Sequence, residues 1–258
     1  MNTIFALSGV VIKELYRRKD FYVLFIITIL ICLVMASVDI FNDEKVVRYL
    51  KEISLLLIWL STLVIAITTT ARQIPAEREQ RTLLPLLAKP ITRTQLIFGK
   101  FFGCWFACGA ALLCFYIFFG GLDYSREHHL PLLNYFQAAV LHWFMLGIVV
   151  AMSLFGSLIF AAPSSNATIV FVFAAGILTV GRHLHQIALQ QPEPAQTVIY
   201  TLYMVLPHLE LFDVRDLIIH DWPPVGWNYF GLDLLYALGY TAAFLVAACL
   251  VFRRKAVN

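Results

Sequence analysis

Charged residues are scarce in this chain. Asp, Glu, Lys and Arg make up 14% of its 258 residues, whereas hydrophobic residues make up 60%. Soluble domains carry about 25% charged and about 45–50% apolar residues. The chain has more apolar surface than a globular core can bury, and its mean hydropathy of +0.79 agrees with this. The composition excludes an ordinary soluble protein and predicts a single membrane domain, 1–258, without a separate soluble domain.

The chain also lacks the motifs that carry chemistry. Its Gly99-Lys100 pair has neither the upstream glycine nor the following Ser or Thr of a nucleotide-binding phosphate loop. Its five cysteines all lie in apolar runs, and none has the spacing of a zinc site or a disulfide framework. The sequence shows no Ser-His-Asp or paired-carboxylate arrangement. We therefore expect no catalytic activity, no cofactor, no metal and no nucleic-acid partner for this chain.

Long uncharged runs are what the sequence has instead. A membrane-spanning helix needs about 20 mainly apolar residues. The run Phe21 to Val38 holds about a dozen Leu, Ile, Val and Phe residues, which favour insertion by about 4–7 kcal/mol as an upper bound. The run Leu130 to Gly181 is too long for one span, and the turn-forming residues Pro163 to Asn166 divide it. We predict an all-α, polytopic membrane protein with six spans, at about 21–39, 53–72, 96–121, 133–160, 167–182 and 228–252.

Lysine and arginine positions predict the orientation. If the N-terminus is cytoplasmic, the cytoplasmic segments hold 13 Lys and Arg residues and the outer segments hold six. Positive residues favour the cytoplasmic side. We expect a multi-pass protein of the cell inner (plasma) membrane, with both termini in the cytoplasm and no cleavable signal peptide. Residues 3–18 are predicted to form an amphipathic helix on the inner surface, because Ile4, Leu7, Val11 and Leu15 share one face.

The segment 183–226 does not follow the simple pattern of spans and short loops. Pro192 and Pro194 interrupt it, and the part from Leu209 to Ile218 mixes charged with large apolar residues. Its apolar part, Thr197 to Leu209, is too short to cross a bilayer. We therefore predict short re-entrant helices on the outer side before the last span.

The cytoplasmic loop 73–95, between the second and third spans, is the most informative segment. Ala76 to Arg81 is charged and helix-forming, so it can extend the second span into the cytosol. Thr82 suits the N-cap of a short helix that Pro90 ends, and Thr92 or Thr94 can start the third span. This short helix displays four leucines, Leu83, Leu84, Leu86 and Leu87. Their apolar surface can lie on the bilayer or in a groove of a partner protein, and physical reasoning favours neither.

The loop carries the pattern Glu77-x-Glu79-x-Arg81-Thr82-Leu83-x-x-Leu86-Leu87-Ala88-Lys89-Pro90-Ile91-Thr92-Arg93, followed by Gly99-Lys100. This pattern resembles the loop of type-2 ABC exporter permeases, many of which carry glycine in place of Arg81. The basic N-terminal helix, the six spans and the outer segment around Pro207 extend the resemblance along the chain.

The resemblance implies that a coupling helix in this loop docks in a groove of a separate ATP-binding subunit. It implies a non-catalytic permease that works with two ATPase copies, which bind ATP and Mg, and with a second permease copy, identical or related. Membrane lipids are expected partners, and a periplasmic accessory protein is a further candidate. The implied docking residues are Glu77, Glu79, Arg81, Thr82, Leu83, Leu84, Leu86, Leu87, Pro90 and Arg93.

Two ionisable residues lie inside predicted spans. His142 and Asp233 are candidates for contact with a substrate, because such groups in a membrane are often functional, or for a structural role. One alternative function is a proton-coupled secondary transporter that uses either residue as a proton relay. Another is a membrane haem- or metal-handling protein that uses outer histidines such as His183 and His185.

Overall fold

The computed structural model describes residues 2–16, 22, 26–31, 33, 44–79, 92–190, 192 and 194–254. The described residues form helices and short connections, with no strand among them, which confirms the predicted all-α class. The elements are α1 (Asn2–Tyr16), α2 (Glu44–Ala71), α3 (Gln73–Glu79), α4 (Arg93–Glu127), α5 (Leu132–Ile159), α6 (Pro163–Gln190), α7 (Ala195–Val205), a 3-10 turn (Leu209–Phe212), α8 (Asp216–Ile219) and α9 (Trp227–Arg254).

Four helical segments of the described chain are long and apolar enough to cross a membrane. They are Lys51–Glu79, Arg93–Ser125, Leu132–Ile159 and Trp227–Arg254. The predicted fifth span, 167–182, lies within α6, whose apolar part Pro163–Thr179 is shorter than these four. The predicted first span, 21–39, falls largely outside the described residues, so the total of six spans remains a prediction.

Helix α5 is the centre of the bundle. It packs against α2, α4, α6 and α9, and 72% of its apolar part is buried, compared with 22% for α9. Small residues let its neighbours approach closely, and Ser153 and Gly156 contact Asn166 of α6, whose amide donates to the Ser153 carbonyl at 2.9 Å. Most of the surface of α9 therefore faces away from the bundle.

Two tryptophans join α4 to α5. The indole rings of Trp105 and Trp143 stack with their centroids 4.6 Å apart. Each indole N–H donates to the other residue's carbonyl oxygen, at 2.9 Å from Trp105 and 3.1 Å from Trp143. Gly109 lies against the Trp143 ring, where a β-carbon would be too close, and Gly147 lies against the Trp105 ring, where a β-carbon would fit tightly. The two glycines therefore leave room for this reciprocal contact.

Helix α1 is docked along α4. Gly99 and Gly103 of α4 face Leu7 and Val11, so closely that an added β-carbon on either glycine would lie 2.6 Å from a leucine or valine β-carbon. The Ser8 hydroxyl lies 3.1 Å from the Gly99 carbonyl oxygen. The predicted amphipathic helix is thus a helix that packs on the bundle, and its position on the membrane surface remains a prediction.

The segment before α9 is anchored on the first turns of α5. The Asn134 amide donates to the carbonyl oxygens of Leu217, at 3.0 Å, and Trp222, at 2.9 Å. The Gln137 side chain exchanges two 2.9 Å hydrogen bonds with the backbone of Val225. Amide side chains of α5 therefore satisfy irregular backbone that lipid could not.

Candidate coupling site

Helices α2 and α3 form a rod that carries the chain to the predicted coupling loop. Only a turn at Arg72 separates them, and the Ala76 amide donates to the Arg72 carbonyl at 3.0 Å across it. The chain is described again from Thr92 onward. The predicted docking residues between these points lie outside the described residues, namely Arg81, Thr82, Leu83, Leu84, Leu86, Leu87 and Pro90.

The two ends of this loop are described in full, and we call them the loop base. It comprises α3 and the first residues of α4, from Arg93 to Lys100. Lys100 joins the two parts. Its ammonium donates to the Gln73 carbonyl at 3.2 Å and the Gln73 side-chain oxygen at 3.1 Å, and it pairs with the Glu77 carboxylate at 2.8 Å.

The Lys100 ammonium is buried, so it needs these oxygen partners. The Lys100 side chain is 3% exposed and the Glu77 side chain is 20% exposed. An ammonium has three N–H donors, and each can meet one of the three oxygen atoms around it. A buried cation without such partners would be costly, so Lys100 favours the conformation in which α3 lies against α4.

Thr92 begins α4 as its N-cap, one of the two positions expected from the sequence. Its hydroxyl accepts from the Gln95 amide at 3.2 Å, and the Gln95 side chain accepts from the Thr92 amide at 3.0 Å. This reciprocal capping box satisfies two N–H groups that a helix start leaves unpaired. The direction in which the chain leaves the loop is therefore fixed locally.

Arg93 connects the same end of the loop to α9. Its guanidinium donates to the Phe252 carbonyl at 2.7 Å and the Arg253 carbonyl at 3.3 Å, and it lies 5.4 Å from the centre of the Phe252 ring. These carbonyls belong to the last turn of α9, where helices carry unpaired acceptors and a partial negative charge. Arg93 thereby caps the last span from the loop base.

These contacts give Glu77 and Arg93 partners within the chain. Both residues were expected at the rim of a docking surface, and the structure places each in a contact between helices. Glu79 is exposed at the end of α3. Sequence reasoning missed the role of Lys100, although a lone lysine within the first turns of an apolar helix is a signal for a buried partner.

His142 is buried in the middle of α5. It is 1% exposed, and its Nε2 is 3.0 Å from the Thr62 hydroxyl oxygen of α2. That hydroxyl has a single proton, which is within reach of the Ile58 carbonyl at 2.9 Å and the Trp59 carbonyl at 3.0 Å. The Thr62 hydroxyl therefore links His142 of α5 to the backbone of α2.

The surroundings of His142 are aromatic. The rings of Trp59 and Tyr116 lie 5.6 and 6.2 Å from its ring. This burial and the hydrogen bond to Thr62 give His142 a packing role between α2 and α5, and its contact with a substrate stays a prediction. The structure does not bring Asp233 to this position, since Asp233 lies half-buried near the start of α9.

An ion pair in the outer segment covers the same region. Arg215 forms two hydrogen bonds with the Asp213 carboxylate, at 2.6 and 2.9 Å, and its guanidinium lies 5.6 Å from the Trp59 ring centre. Burial disfavours the charged guanidinium, but the hydrogen bonds and charge of Asp213 outweigh burial and raise the pKa of Arg215. Arg215 therefore remains charged and paired above Trp59.

Metal binding finds no support in the described residues. Among them, no three His, Cys, Asp or Glu side chains are grouped so that they could hold a metal ion. The side chains of His183 and His185, which were considered for the haem or metal alternative, lie outside the described residues.

The long apolar helices and the bonded loop base define a polytopic helical membrane protein. The profile of the ABC-2 family transporter proteins matches residues 9–257, nearly the whole chain, and the chain belongs to that family. No curated protein matches the chain significantly. The chain is therefore an ABC-2 type permease, the membrane component of an ABC transporter, and permeases of this family typically pair with an ATP-binding subunit.

Proposed function

We propose that this permease couples ATP hydrolysis by a partner ATPase to export, or to conformational work, across the cell inner membrane. The observation that carries the proposal is the loop base, because the predicted cytoplasmic loop of this chain begins and ends on helices that are bonded to the bundle. The leucines between the two ends form the docking face. Glu79 and Arg81 provide charge beside it.

Movement of the loop is transmitted to two parts of the helical bundle. Through Glu77 and Lys100 it acts on α3 and α4 together, and through Arg93 it acts on the end of α9. A partner whose ATP-bound and ATP-free states bind the loop differently can shift the permease between conformations by that difference in affinity. Each ATPase copy binds ATP and Mg, and this chain provides the surface on which the ATPase acts.

The proposed assembly contains two permease copies, identical or related, and two ATPase copies. Each permease copy has six spans, with both termini and the loop in the cytoplasm. The excess of Lys and Arg on that side supports this orientation, and Arg72, Arg78, Arg93 and Lys100 around the loop base contribute to it. Lipids surround the bundle, and a periplasmic protein is a candidate partner at the outer segment.

The proposal is tested by substituting the docking leucines. Leu86→Asp and Leu87→Asp are each expressed with the ATPase, and the complex is purified through a tag on the permease. Because a buried carboxylate in an apolar groove is costly, each change should lower the recovered ATPase at least about tenfold. Val10→Asp, which changes an exposed side chain of α1, is the matched control and should leave recovery unchanged.

Membrane insertion is measured on the same samples, so that loss of the protein is not mistaken for loss of the complex. If both leucine variants insert and recover as much ATPase as the unchanged chain does, the assignment of the docking face is wrong. A chain that recovers no ATPase even without substitution would refute the coupled function itself.

A further inference from the structure

A cleft opens between α3 and the first turns of α6, next to the loop base. Its cavity volume is about 440 Å³, within the range of about 300–1,000 Å³ that small-molecule sites occupy. One wall is the α2–α3 rod and the other is the beginning of α6. The lining residues are Thr68, Ala71, Arg72, Ala76, Glu79, Pro163, Ser164 and Ala167.

Opposite charges line one wall of this cleft. Arg72 and Glu79 are both exposed and lie about two helical turns, or about 10 Å, apart along the rod. On the opposite wall, the exposed Ser164 offers a hydroxyl that can donate or accept. The cleft therefore presents a cation at one end, an anion at the other and a neutral hydrogen-bonding group across from them.

Small side chains form much of the remaining lining of the cleft. Ala71, Ala76 and Ala167 contribute one methyl group each, and Pro163 adds a compact ring. The result is a space with a polar rim and an apolar floor. A ligand that suits it has two charged groups of opposite sign and an apolar part.

The position of the cleft relative to the bilayer indicates which class of ligand it meets. Arg72 directly follows the apolar helix α2, and Pro163 begins the apolar part of α6, so the cleft lies where a spanning helix meets the polar boundary of a bilayer. In the proposed orientation, on which this inference rests, that boundary is the inner leaflet. The molecules at this depth are phospholipids, whose headgroups carry phosphate.

We propose that the cleft binds the headgroup of an inner-leaflet phospholipid that carries a primary amine, of the phosphoethanolamine type. Arg72 binds the phosphate, because a guanidinium can donate two parallel hydrogen bonds to it. Glu79 accepts from the ammonium, which a quaternary amine could not satisfy in the same way. Ser164 donates to a free phosphate oxygen, and Ala71 and Ala167, on the membrane side of the charges, contact the upper acyl chain.

Because the cleft lies beside the predicted docking loop, a lipid bound there would affect how the ATPase and the permease are coupled. Glu79 ends α3 and is the last described residue before the docking loop. A headgroup that contacts both walls holds α3 toward α6, on a face of the rod different from the one that Gln73 and Glu77 present to Lys100. The bound lipid therefore stabilises one position of the loop base.

The experiment measures lipid retained by the purified full chain, together with its ATPase where the two co-purify. The protein is reconstituted in vesicles of equal parts phosphatidylethanolamine, phosphatidylcholine and phosphatidylglycerol, extracted, and examined by native mass spectrometry. The unchanged chain should retain phosphatidylethanolamine in preference to both other lipids. Arg72→Gln should lower its retention about five- to tenfold, as expected for loss of a charged hydrogen-bonding partner.

Two further variants test the details. Glu79→Gln should leave phospholipid bound but abolish the preference for the amine headgroup over phosphatidylglycerol. Ala167→Phe fills the cleft without a change of charge and should lower retention of all three lipids. Arg78→Gln, on the same helix but outside the lining, is the matched control and should retain lipid as the unchanged chain does.

Soluble competitors distinguish a lipid headgroup from a free anion. Phosphoethanolamine in solution should displace the lipid, whereas inorganic phosphate at the same concentration should not. Displacement by phosphate alone would show a site for a free anion and overturn the proposal, as would wild-type retention in both Arg72→Gln and Ala167→Phe. ATPase recovery is recorded for every sample, so that a failed lipid site with normal recovery leaves the proposed coupling function intact.

Discussion

The Lys100–Glu77 pair allows a prediction in which the effect of one substitution, Glu77→Gln, on the free energy of unfolding depends on whether Lys100 is present. Lys100→Met removes a buried ammonium and leaves the Glu77 carboxylate and two Gln73 oxygens without their donor. Breaking a fully buried pair in this way costs about 3–5 kcal/mol. Because Glu77 is 20% exposed and water can solvate it in part, we expect a loss of about 2–3 kcal/mol.

Glu77→Gln then distinguishes a pair from two independent residues. In the unchanged chain it removes the charge that Lys100 neutralises, and it should destabilise the fold by about 1–2 kcal/mol. In the Lys100→Met background it removes a carboxylate that has lost its contact with the Lys100 ammonium, so its cost should be much smaller or absent. The coupling energy from the four proteins should be about 1–2 kcal/mol or more.

The assay is reversible unfolding of the purified chain in mixed micelles, followed by helical circular dichroism. Glu79→Gln is the control, because Glu79 is exposed at the end of α3, and it should change stability equally in both backgrounds. Equal effects of Glu77→Gln in the two backgrounds would refute the conclusion that this pair holds the loop base together.

Two further predictions use the same assay. His142→Phe removes one hydrogen bond but keeps the ring and leaves the α2 hydroxyl bonded within its own helix, so the loss should be only about 1 kcal/mol. A proton relay, by contrast, would be inactivated by this change, whereas ATPase-dependent activity should persist. Gly147→Leu forces a side chain against the Trp105 indole and should cost about 1–3 kcal/mol. Gly121→Leu, where the space is open, should cost little.

Each of these outcomes can contradict its premise. Loss of ATPase-dependent activity in His142→Phe, with normal stability and normal ATPase recovery, would assign His142 a role in transport. Equal stability of Gly147→Leu and Gly121→Leu would mean that the contact between α4 and α5 does not depend on a glycine at position 147.

Much of the architecture follows from short-range features of the sequence. The uncharged run from Leu130 to Gly181 must contain two helices because it is longer than one span, and the structure ends α5 at Ile159 and begins α6 at Pro163. The Thr92 cap follows from its position before a helical segment with glutamine three residues later. Both inferences depend on residues that are neighbours in sequence.

The contacts that organise the site are of a different kind. Lys100 meets Glu77 across the loop, and Arg93 meets carbonyls at the far end of the chain. Apolar periodicity shows which residues face the bundle. It does not show which buried polar group of one helix pairs with which polar group of another. The reciprocal indole contact of Trp105 and Trp143 is hidden for the same reason.

The loop base also constrains how the permease can move. Since Lys100 joins α3 to α4, displacement of the loop cannot separate these helices without breaking three polar contacts. Since Arg93 caps α9, rotation of the start of α4 displaces the end of the last span or breaks that cap. Helix α5 is the most buried of the four long helices and packs against α2, α4, α6 and α9, so we expect it to move least. Movement of the loop is therefore expected to turn α4 and α9 about α5.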